Sequence, residues 1–177
     1  MTDSVTTDEA LALVREVPDF PEPGIVFRDL TPVLADGPAF RAVTAALVAG
    51  LPAEVTAIVA IEARGFLFGA AMAQATGLGL VTVRKPGKLP AVAASATYAL
   101  EYGTATLELP AATLAAGASV VIVDDVLATG GTVAATAGLV EEAGARTAAV
   151  AVVLELGALG GRARLPAGAV CNALVTV

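Results

Sequence analysis

The stretch Ser119–Thr132 constrains the fold most, because it combines a buried strand, two carboxylates and a glycine turn. Val120–Val123 is an unbroken β-branched run, typical of a strand buried on both faces of a parallel sheet. Asp124 and Asp125 follow, and ligands of open α/β sheets bind at the carboxyl ends of strands. From Thr132 onward the composition is helical. The stretch therefore predicts a strand, turn and helix with a ligand site at the edge of a parallel sheet.

The turn after the two aspartates has the composition of a phosphate site. It consists of small residues that leave backbone N–H groups uncovered, namely Ala128, Thr129, Gly130, Gly131 and Thr132. These N–H groups, the threonine hydroxyls and the helix dipole suit a phosphate, whereas the carboxylates would repel one and suit sugar hydroxyls or Mg²⁺. Together the groups fit a ribose 5-phosphate. The alternative is a plain turn with a helix cap, and the chain has no P-loop motif and no Gly-x-Gly-x-x-Gly after a strand.

Composition excludes several classes of function. The net charge is −7 and the chain contains no basic run, so we expect no nucleic-acid partner. The absence of histidine excludes a histidine-based triad and histidine metal ligands, and the single Cys171 is compatible with the cytoplasm. Mean hydropathy is +0.80, but the longest uncharged stretch, Gly65–Val83, is interrupted by glycines and polar residues. The acidic N-terminus is unlike a signal peptide, so we expect a cytoplasmic protein that does not span a membrane.

The alternation of strands and helices predicts the fold class. Helices are expected over Thr7–Val17 and over Pro38–Leu51, where Asp36 is a suitable N-cap. From Val55 onward, strand, helix and strand units alternate, which predicts an α/β fold with a doubly wound, mostly parallel sheet and helices on both faces. The other expected strands are Leu80–Val83, Ala148–Leu154 and a short one within Leu165–Val177.

Five blocks in family order, from Pro23 to Leu165, resemble the type I phosphoribosyltransferases. The block Val-Ile-Val-Asp-Asp-Val-Leu-Ala-Thr-Gly-Gly-Thr resembles their phosphoribosyl-diphosphate signature, and its ending resembles the adenine-specific branch. The resemblance implies one domain over residues 1–177, with residues 1–34 as a hood over the base site and 84–108 as a lid hairpin. It also implies a homodimer with Mg²⁺ as cofactor. The implied reaction transfers the 5-phosphoribosyl group from phosphoribosyl diphosphate to N9 of adenine, giving AMP and pyrophosphate.

The resemblance implies roles for the residues around the sugar. Asp124 and Asp125 hold the ribose hydroxyls, directly or through magnesium, so their contact with the metal is indirect, through ligand or water. The turn Ala128–Thr132 cradles the 5-phosphate. Glu101, in Tyr-Ala-Leu-Glu-Tyr-Gly, is the lid carboxylate that reaches the reacting centre. There an anion stabilises the positive charge of the transition state or exchanges the proton of the base, and the sequence does not divide these roles.

Two basic blocks resemble the pyrophosphate site. Glu-Ala-Arg-Gly resembles the pyrophosphate loop, with Arg64 as the anion ligand and, in many members, a cis peptide before the residue that matches Ala63. Arg-Lys-Pro-Gly-Lys-Leu-Pro resembles the segment that binds pyrophosphate and closes the loop, through Arg84, Lys85 and Lys88. The segment Ala91–Ala96 that follows is small and featureless in sequence, as a mobile lid could be.

The base site is assigned from Pro-Gly-Ile-Val-Phe-Arg-Asp-Leu-Thr-Pro-Val-Leu, which resembles the adenine-specific hood. The resemblance implies that the Val26 backbone hydrogen-bonds the base edge, Phe27 covers the ring and Arg28 braces the pocket. The segment Val-Leu-Glu-Leu, which ends at Leu156, resembles one that lies near the same pocket.

Alternatives stay open at the level of the sequence. Without the resemblance, the blocks also fit a strand with Phe27 packed inward, a solvated basic turn and an edge hairpin. Within the family, the base could be guanine or xanthine, although the hood and Glu101 favour adenine. A non-catalytic regulator of the same fold that binds phosphoribosyl diphosphate is a further alternative. Such regulators usually carry a DNA-binding domain, for which the residues before Pro18 are too few and too acidic.

Overall fold

The computed structural model describes residues 5–99 and 103–177. The chain forms two compact units, Met1–Ala46 and Leu47–Val177. No helix among the described residues is long and apolar enough to cross a membrane.

The first unit contains a short antiparallel pair of strands. Helix α1, Thr7–Leu11, starts at a capping box in which Thr6 and Glu9 satisfy each other's backbone N–H. Strand β1, Arg15–Pro18, pairs with β2, Val26–Asp29.

The predicted helix Thr7–Val17 is therefore too long, since its second half is a strand. The register places Glu16 opposite Arg28, with which it forms an ion pair, and Val17 opposite Phe27. Pairing with a distant strand outweighs the local helical spacing there.

Two helices follow β2. Helix α2 is Thr31–Ala35 and α3 is Gly37–Ala49. The carboxylate of Asp36 accepts a hydrogen bond from the Ala39 N–H at 2.8 Å, as expected of an N-cap.

The second unit is organised around a five-stranded parallel sheet. Its strands are β3 (Ala57–Ile61), β4 (Gly79–Val83), β7 (Ser119–Leu127), β8 (Arg146–Glu155) and β9 (Val170–Thr176). Their order is β4-β3-β7-β8-β9, so the chain proceeds in opposite directions from the adjacent pair β3 and β7. Such a reversal opens a crevice at the carboxyl ends of the two strands, where ligands of doubly wound folds bind.

Helices α4 (Gly65–Thr76) and α5 (Gly131–Glu142) cover opposite faces of this sheet. A Cβ on Gly69 of α4 would lie 2.5 Å from the Ala60 Cβ. Val133 and Val140 of α5 instead belong to a buried cluster with Val59. Because alternate residues of a strand face opposite sides, the two helices lie on different faces, and the predicted doubly wound fold is confirmed.

Strand β7 extends further than predicted. Beyond Val123 it loses its neighbour β3, but it continues beside β8 as far as Leu127, which pairs with Glu155. Asp124 and Asp125 therefore lie within the strand, not after it. They belong to the part of β7 that pairs with β8 but no longer with β3.

A hairpin of β5 (Val92–Ala99) and β6 (Thr104–Pro110) adjoins the sheet. Its anchor is a pair of backbone hydrogen bonds between Arg84 and Glu108, of 2.9 and 2.7 Å. Within the segment Ala91–Ala96, whose sequence indicates no element, Val92 and residues 94–96 pair with β6, and Ala94 is buried in the core. Small side chains fit here because the hairpin packs closely against the rest of the unit.

Candidate active site

The crevice between the ends of β3 and β7 contains a cavity of about 360 Å³. This volume falls within the range of roughly 300–1,000 Å³ that is usual for small-molecule sites. The lining residues come from both strand ends, the basic segment after β4, the hairpin and the start of α5: Glu62, Ala63, Arg64, Lys85, Tyr98, Asp124, Asp125 and Thr132. The peptide between Glu62 and Ala63 is cis, as the resemblance implied.

The two aspartates differ in their surroundings. Asp125 is buried and forms an ion pair with Arg64, whose side chain is half exposed. Asp124 accepts a hydrogen bond from the Asp125 N–H at 2.9 Å. Burial, and next the neighbouring Asp125 charge, raise the pKa of Asp124 well above its usual range. Hydroxyl donors or a cation beside Asp124 would counteract this shift, since either favours its ionised form.

The glycine turn borders a smaller cavity of about 60 Å³ at the start of α5. The lining consists of Asp124 together with residues 126–133, so all five residues predicted for the phosphate contribute to it. Gly130 has a φ of +77°, which glycine adopts readily, and the twelve-residue helix begins at Gly131. Free amide groups at such a helix start favour an anion.

Gly130 is also closely packed against another part of the chain. A Cβ at Gly130 would lie less than 3.0 Å from the carbonyl oxygen of Gly161 and 3.2 Å from the Arg164 Cβ. Glycine is required at position 130 because the loop that contains Gly161 and Arg164 packs directly against the turn.

The hairpin contributes a residue that the sequence did not assign. The Thr132 hydroxyl donates a hydrogen bond to the Tyr98 hydroxyl at 3.1 Å, and both residues line the larger cavity. The sequence signal was present, because Tyr98 is one of two tyrosines in the chain and lies three residues before Glu101. Glu101 itself lies outside the described residues.

The basic residues divide into two groups. Arg64 and Lys85 line the larger cavity with the aspartates. Arg84 forms an ion pair with Glu62 at 3.2 Å and its guanidinium lies 5.7 Å from the centre of the Phe66 ring. Neither it nor Lys88 is among the described residues that line the two cavities.

Glu62 is held by the same segment. Its carboxylate accepts the Lys85 N–H at 2.8 Å, and this bond, followed by that from Arg84, lowers the pKa of Glu62.

The residues predicted for the base belong to β2 in the first unit. Arg28 pairs with Glu16, and Phe27 packs edge-to-face on Phe20 with ring centres 5.3 Å apart. Val26 is 46% exposed. Their assignment to adenine stays a prediction.

An ion pair between a buried glutamate and a half-exposed arginine, beside the glycine turn, was also missed. Glu155, at the end of β8, is 5% exposed and receives hydrogen bonds from both Nε and Nη2 of Arg162. The Val-Leu-Glu-Leu block marked Glu155, whereas nothing in the pattern distinguished Arg162 from other loop arginines.

Comparison with known proteins identifies the family. The family model of the phosphoribosyl transferase domain matches residues 34–166 of this chain. An adenine phosphoribosyltransferase of Saccharopolyspora erythraea is 62% identical over 157 residues, which cover 89% of this chain and 85% of that protein.

Solved structures agree. The crystal structure of adenine phosphoribosyltransferase from Thermoanaerobacter pseudethanolicus matches with a TM-score of 0.91 and 46% identity, covering 97% of this chain and 100% of that one. The Saccharomyces cerevisiae enzyme, crystallised with adenine and an imino-altritol bisphosphate, matches with a TM-score of 0.88 and 37% identity, over 96% and 98% of the two chains. The chain therefore belongs to the phosphoribosyltransferase family, and within it to the adenine phosphoribosyltransferases of purine salvage.

Proposed function

We propose that the crevice binds phosphoribosyl diphosphate with its 5-phosphate on the turn Ala128–Thr132 and its ribose hydroxyls on Asp124 and Asp125. The observation that carries this proposal is the adjacency of two carboxylates and a bare glycine turn at the start of a helix. Hydroxyls donate to carboxylates, and the amide groups of the turn donate to phosphate oxygens. The carboxylates therefore favour the ribose hydroxyls, and the turn favours the 5-phosphate of the same molecule.

The departing pyrophosphate is assigned to the basic residues of the crevice. Arg64 and Lys85 line the larger cavity together with the two aspartates. Arg84 and Lys88 are assigned to the same anion once the lid hairpin, residues 84–108, closes. For Arg84 this requires exchange of its partner Glu62 for phosphate oxygens, which a guanidinium can bind through two parallel hydrogen bonds.

Magnesium is assigned to the donor pair Asp124 and Asp125. Mg²⁺ is usually held by one or two carboxylates together with water and substrate phosphates, and this oxygen pair at the edge of the cavity fits that pattern. When bound, the ion neutralises charge on the pyrophosphate oxygens. The described residues contain no group of three or more acidic or cysteine side chains that could hold a metal alone, so the contact is assigned through ligand or water.

The reaction exchanges one bond at C1 of the ribose. N9 of adenine bonds to C1 while the bond from C1 to the pyrophosphate oxygen breaks, and N9 loses its proton. Glu101 is assigned as the carboxylate next to C1. There it stabilises the positive charge on the ribose in the transition state or accepts the proton from N9. The base is assigned to the Val26 backbone, Phe27 and Arg28. The presence of adenine in the S. cerevisiae structure supports adenine as the base.

Two further parts of the proposal concern the protein in the cell. We assign it to the cytoplasm and to a homodimer, as the family resemblance implies. Light scattering on the purified protein tests the dimer directly.

Pyrophosphate release tests the proposed function. The protein is incubated with phosphoribosyl diphosphate, Mg²⁺ and either adenine, guanine, xanthine or hypoxanthine. Of the four bases, we expect only adenine to cause release of pyrophosphate, with AMP as the second product. Release with another base would assign the enzyme to that base, and binding of the donor without release would assign a regulator.

The donor site is tested by Asp125→Asn. It removes one acceptor of the sugar hydroxyls and the partner of Arg64, so we expect KM for phosphoribosyl diphosphate to rise at least about tenfold. An unchanged KM would contradict the assignment of the aspartates.

A further inference from the structure

The loop after β8 is fixed by an ion pair between the buried Glu155 and the half-exposed Arg162, which the proposed chemistry does not use. Arg162 donates from Nε to Glu155 at 2.7 and 2.9 Å and from Nη2 at 2.7 Å. The Thr176 hydroxyl donates to the same carboxylate at 3.0 Å. Two-pronged pairing of this kind fixes the guanidinium in orientation as well as in distance. Glu155 therefore ties the loop that carries Arg162 to the ends of β8 and β9.

This loop packs directly against the glycine turn. A Cβ on Gly161 would lie less than 3.0 Å from the Ala128 carbonyl oxygen and 3.1 Å from the Gly130 nitrogen. In the other direction, a Cβ on Gly130 would meet the Gly161 carbonyl oxygen. The two backbones are thus in contact with no side chain between them. The position of the turn depends on the position of Gly161, whose next residue is Arg162.

A second connection joins the base of the loop to the end of β7. The Leu156 N–H donates to the Leu127 carbonyl at 2.9 Å, immediately before the turn. On the other side of the loop, the Gly157 N–H donates to the Val177 carbonyl at 2.8 Å. The loop is therefore held at its base by backbone hydrogen bonds and at its far part by the ion pair.

We propose that Glu155 and Arg162 are positioning residues for the phosphate turn, because their ion pair holds Gly161 against the backbone of Ala128 and Gly130. The inference rests on the proposed function, in which this turn binds the 5-phosphate. Backbone amides act on an anion only when they converge on it, and displacements near 1 Å are costly. Loss of the ion pair should therefore weaken ligands that carry the 5-phosphate and leave free adenine unaffected.

The test uses two conservative variants, Arg162→Lys and Glu155→Gln. Lysine keeps the charge but cannot form the two-pronged pair, and glutamine keeps the shape but not the charge. The matched control is Arg146→Lys, because Arg146 also pairs with a glutamate, but at 3.8 Å and with Glu54 54% exposed, whereas the side chain of Glu155 is 6% exposed. Measurements are kcat, KM for each substrate, the Kd of ribose 5-phosphate by calorimetry, and the unfolding midpoint.

We expect KM for phosphoribosyl diphosphate and Kd for ribose 5-phosphate to rise about tenfold in both variants, with KM for adenine within about twofold of wild type. The control should leave all of these constants unchanged. The inference is overturned if both variants bind ribose 5-phosphate as tightly as wild type, or if the two KM values rise together in proportion to lost stability.

Failure of the proposed function is a separate result. If the wild-type protein does not bind ribose 5-phosphate, or if Thr129→Val and Thr132→Val leave its Kd unchanged, the turn is not the phosphate site. That result would refute the assignment of the turn, and with it the inference. Wild-type binding that responds to the threonine variants but not to Arg162→Lys refutes the inference alone.

Discussion

Gly130→Ala is the substitution whose cost follows most directly from the geometry. Gly130 has a φ of +77°, a region that costs a residue with a side chain roughly 1–2 kcal/mol. The new Cβ would also lie less than 3.0 Å from the Gly161 carbonyl oxygen. This oxygen belongs to backbone that cannot rotate away, and overpacking of this kind costs about 1–3 kcal/mol. The sum is a loss of roughly 2–5 kcal/mol in the free energy of unfolding.

Gly138→Ala is the matched control, because Gly138 lies within α5, the helix that Gly130 immediately precedes. A Cβ there would have no atom within 4 Å, and its φ is not in the left-handed region. Alanine in a helix interior is favoured over glycine by roughly 0.5–1 kcal/mol, so this variant should be more stable than wild type. Two glycines eight residues apart are thus expected to respond with opposite sign.

Thermal and urea unfolding, followed by circular dichroism, measure both changes. At this chain length 1 kcal/mol shifts the melting midpoint by roughly 2–4 °C, so Gly130→Ala should melt at least about 4 °C lower and Gly138→Ala slightly higher than wild type. The KM of Gly130→Ala for phosphoribosyl diphosphate should rise as well, because the new Cβ displaces the turn. Equal stability of Gly130→Ala and wild type would refute the packing argument, and so would an equal loss in Gly138→Ala.

Three other predictions address the site itself. Glu101→Ala should keep the far-ultraviolet dichroism and lower kcat by roughly 10²- to 10⁴-fold, the usual contribution of a positioned acid or base, and unchanged turnover would contradict its role. The free energy of unfolding of Asp124→Asn, relative to that of the wild type, should increase as the pH rises. Because the folded state raises the pKa of Asp124, the folded protein binds that proton more tightly than the unfolded chain does. The free energy of unfolding of the wild type therefore falls as the pH rises above about 4 toward the raised pKa, a slope that asparagine removes. Melting midpoints that differ by the same amount at every pH would contradict this. Tyr98→Phe and Thr132→Val should be coupled by about 0.5–1.5 kcal/mol in a double-mutant cycle of unfolding free energy, since they remove the same hydrogen bond, and additive effects would show that the bond contributes nothing.

Much of the central site could be predicted because its residues are contiguous. The β-branched run, the two aspartates and the glycine turn lie within Ser119–Thr132, and the local sequence is enough to place a strand, a turn and a helix in that order. Alternation of strands and helices was likewise enough for the doubly wound sheet, because parallel strands need crossover helices. These features depend on neighbours along the chain.

Features that depend on distant pairing were not predictable in the same way. The helix expected over Thr7–Val17 ends at Leu11 because residues 15–18 find a partner strand, and residues 92–96 form a strand for the same reason. Strand β7 continues past Val123 because β8 extends beside it, although β3 has ended.

The sequence by itself determined the fold class, the family resemblance and the position of the glycine turn, since each follows from short runs of residues with a definite periodicity or chemistry. Only the tertiary structure decided what supports the turn: Tyr98 from the hairpin, the Gly161 backbone behind Gly130, and the ion pair of Glu155 with Arg162. The physical reason is that hydrogen bonds, ion pairs and close backbone contacts depend on distances between segments far apart in the chain, and these distances exist only once the sheet has brought the segments together.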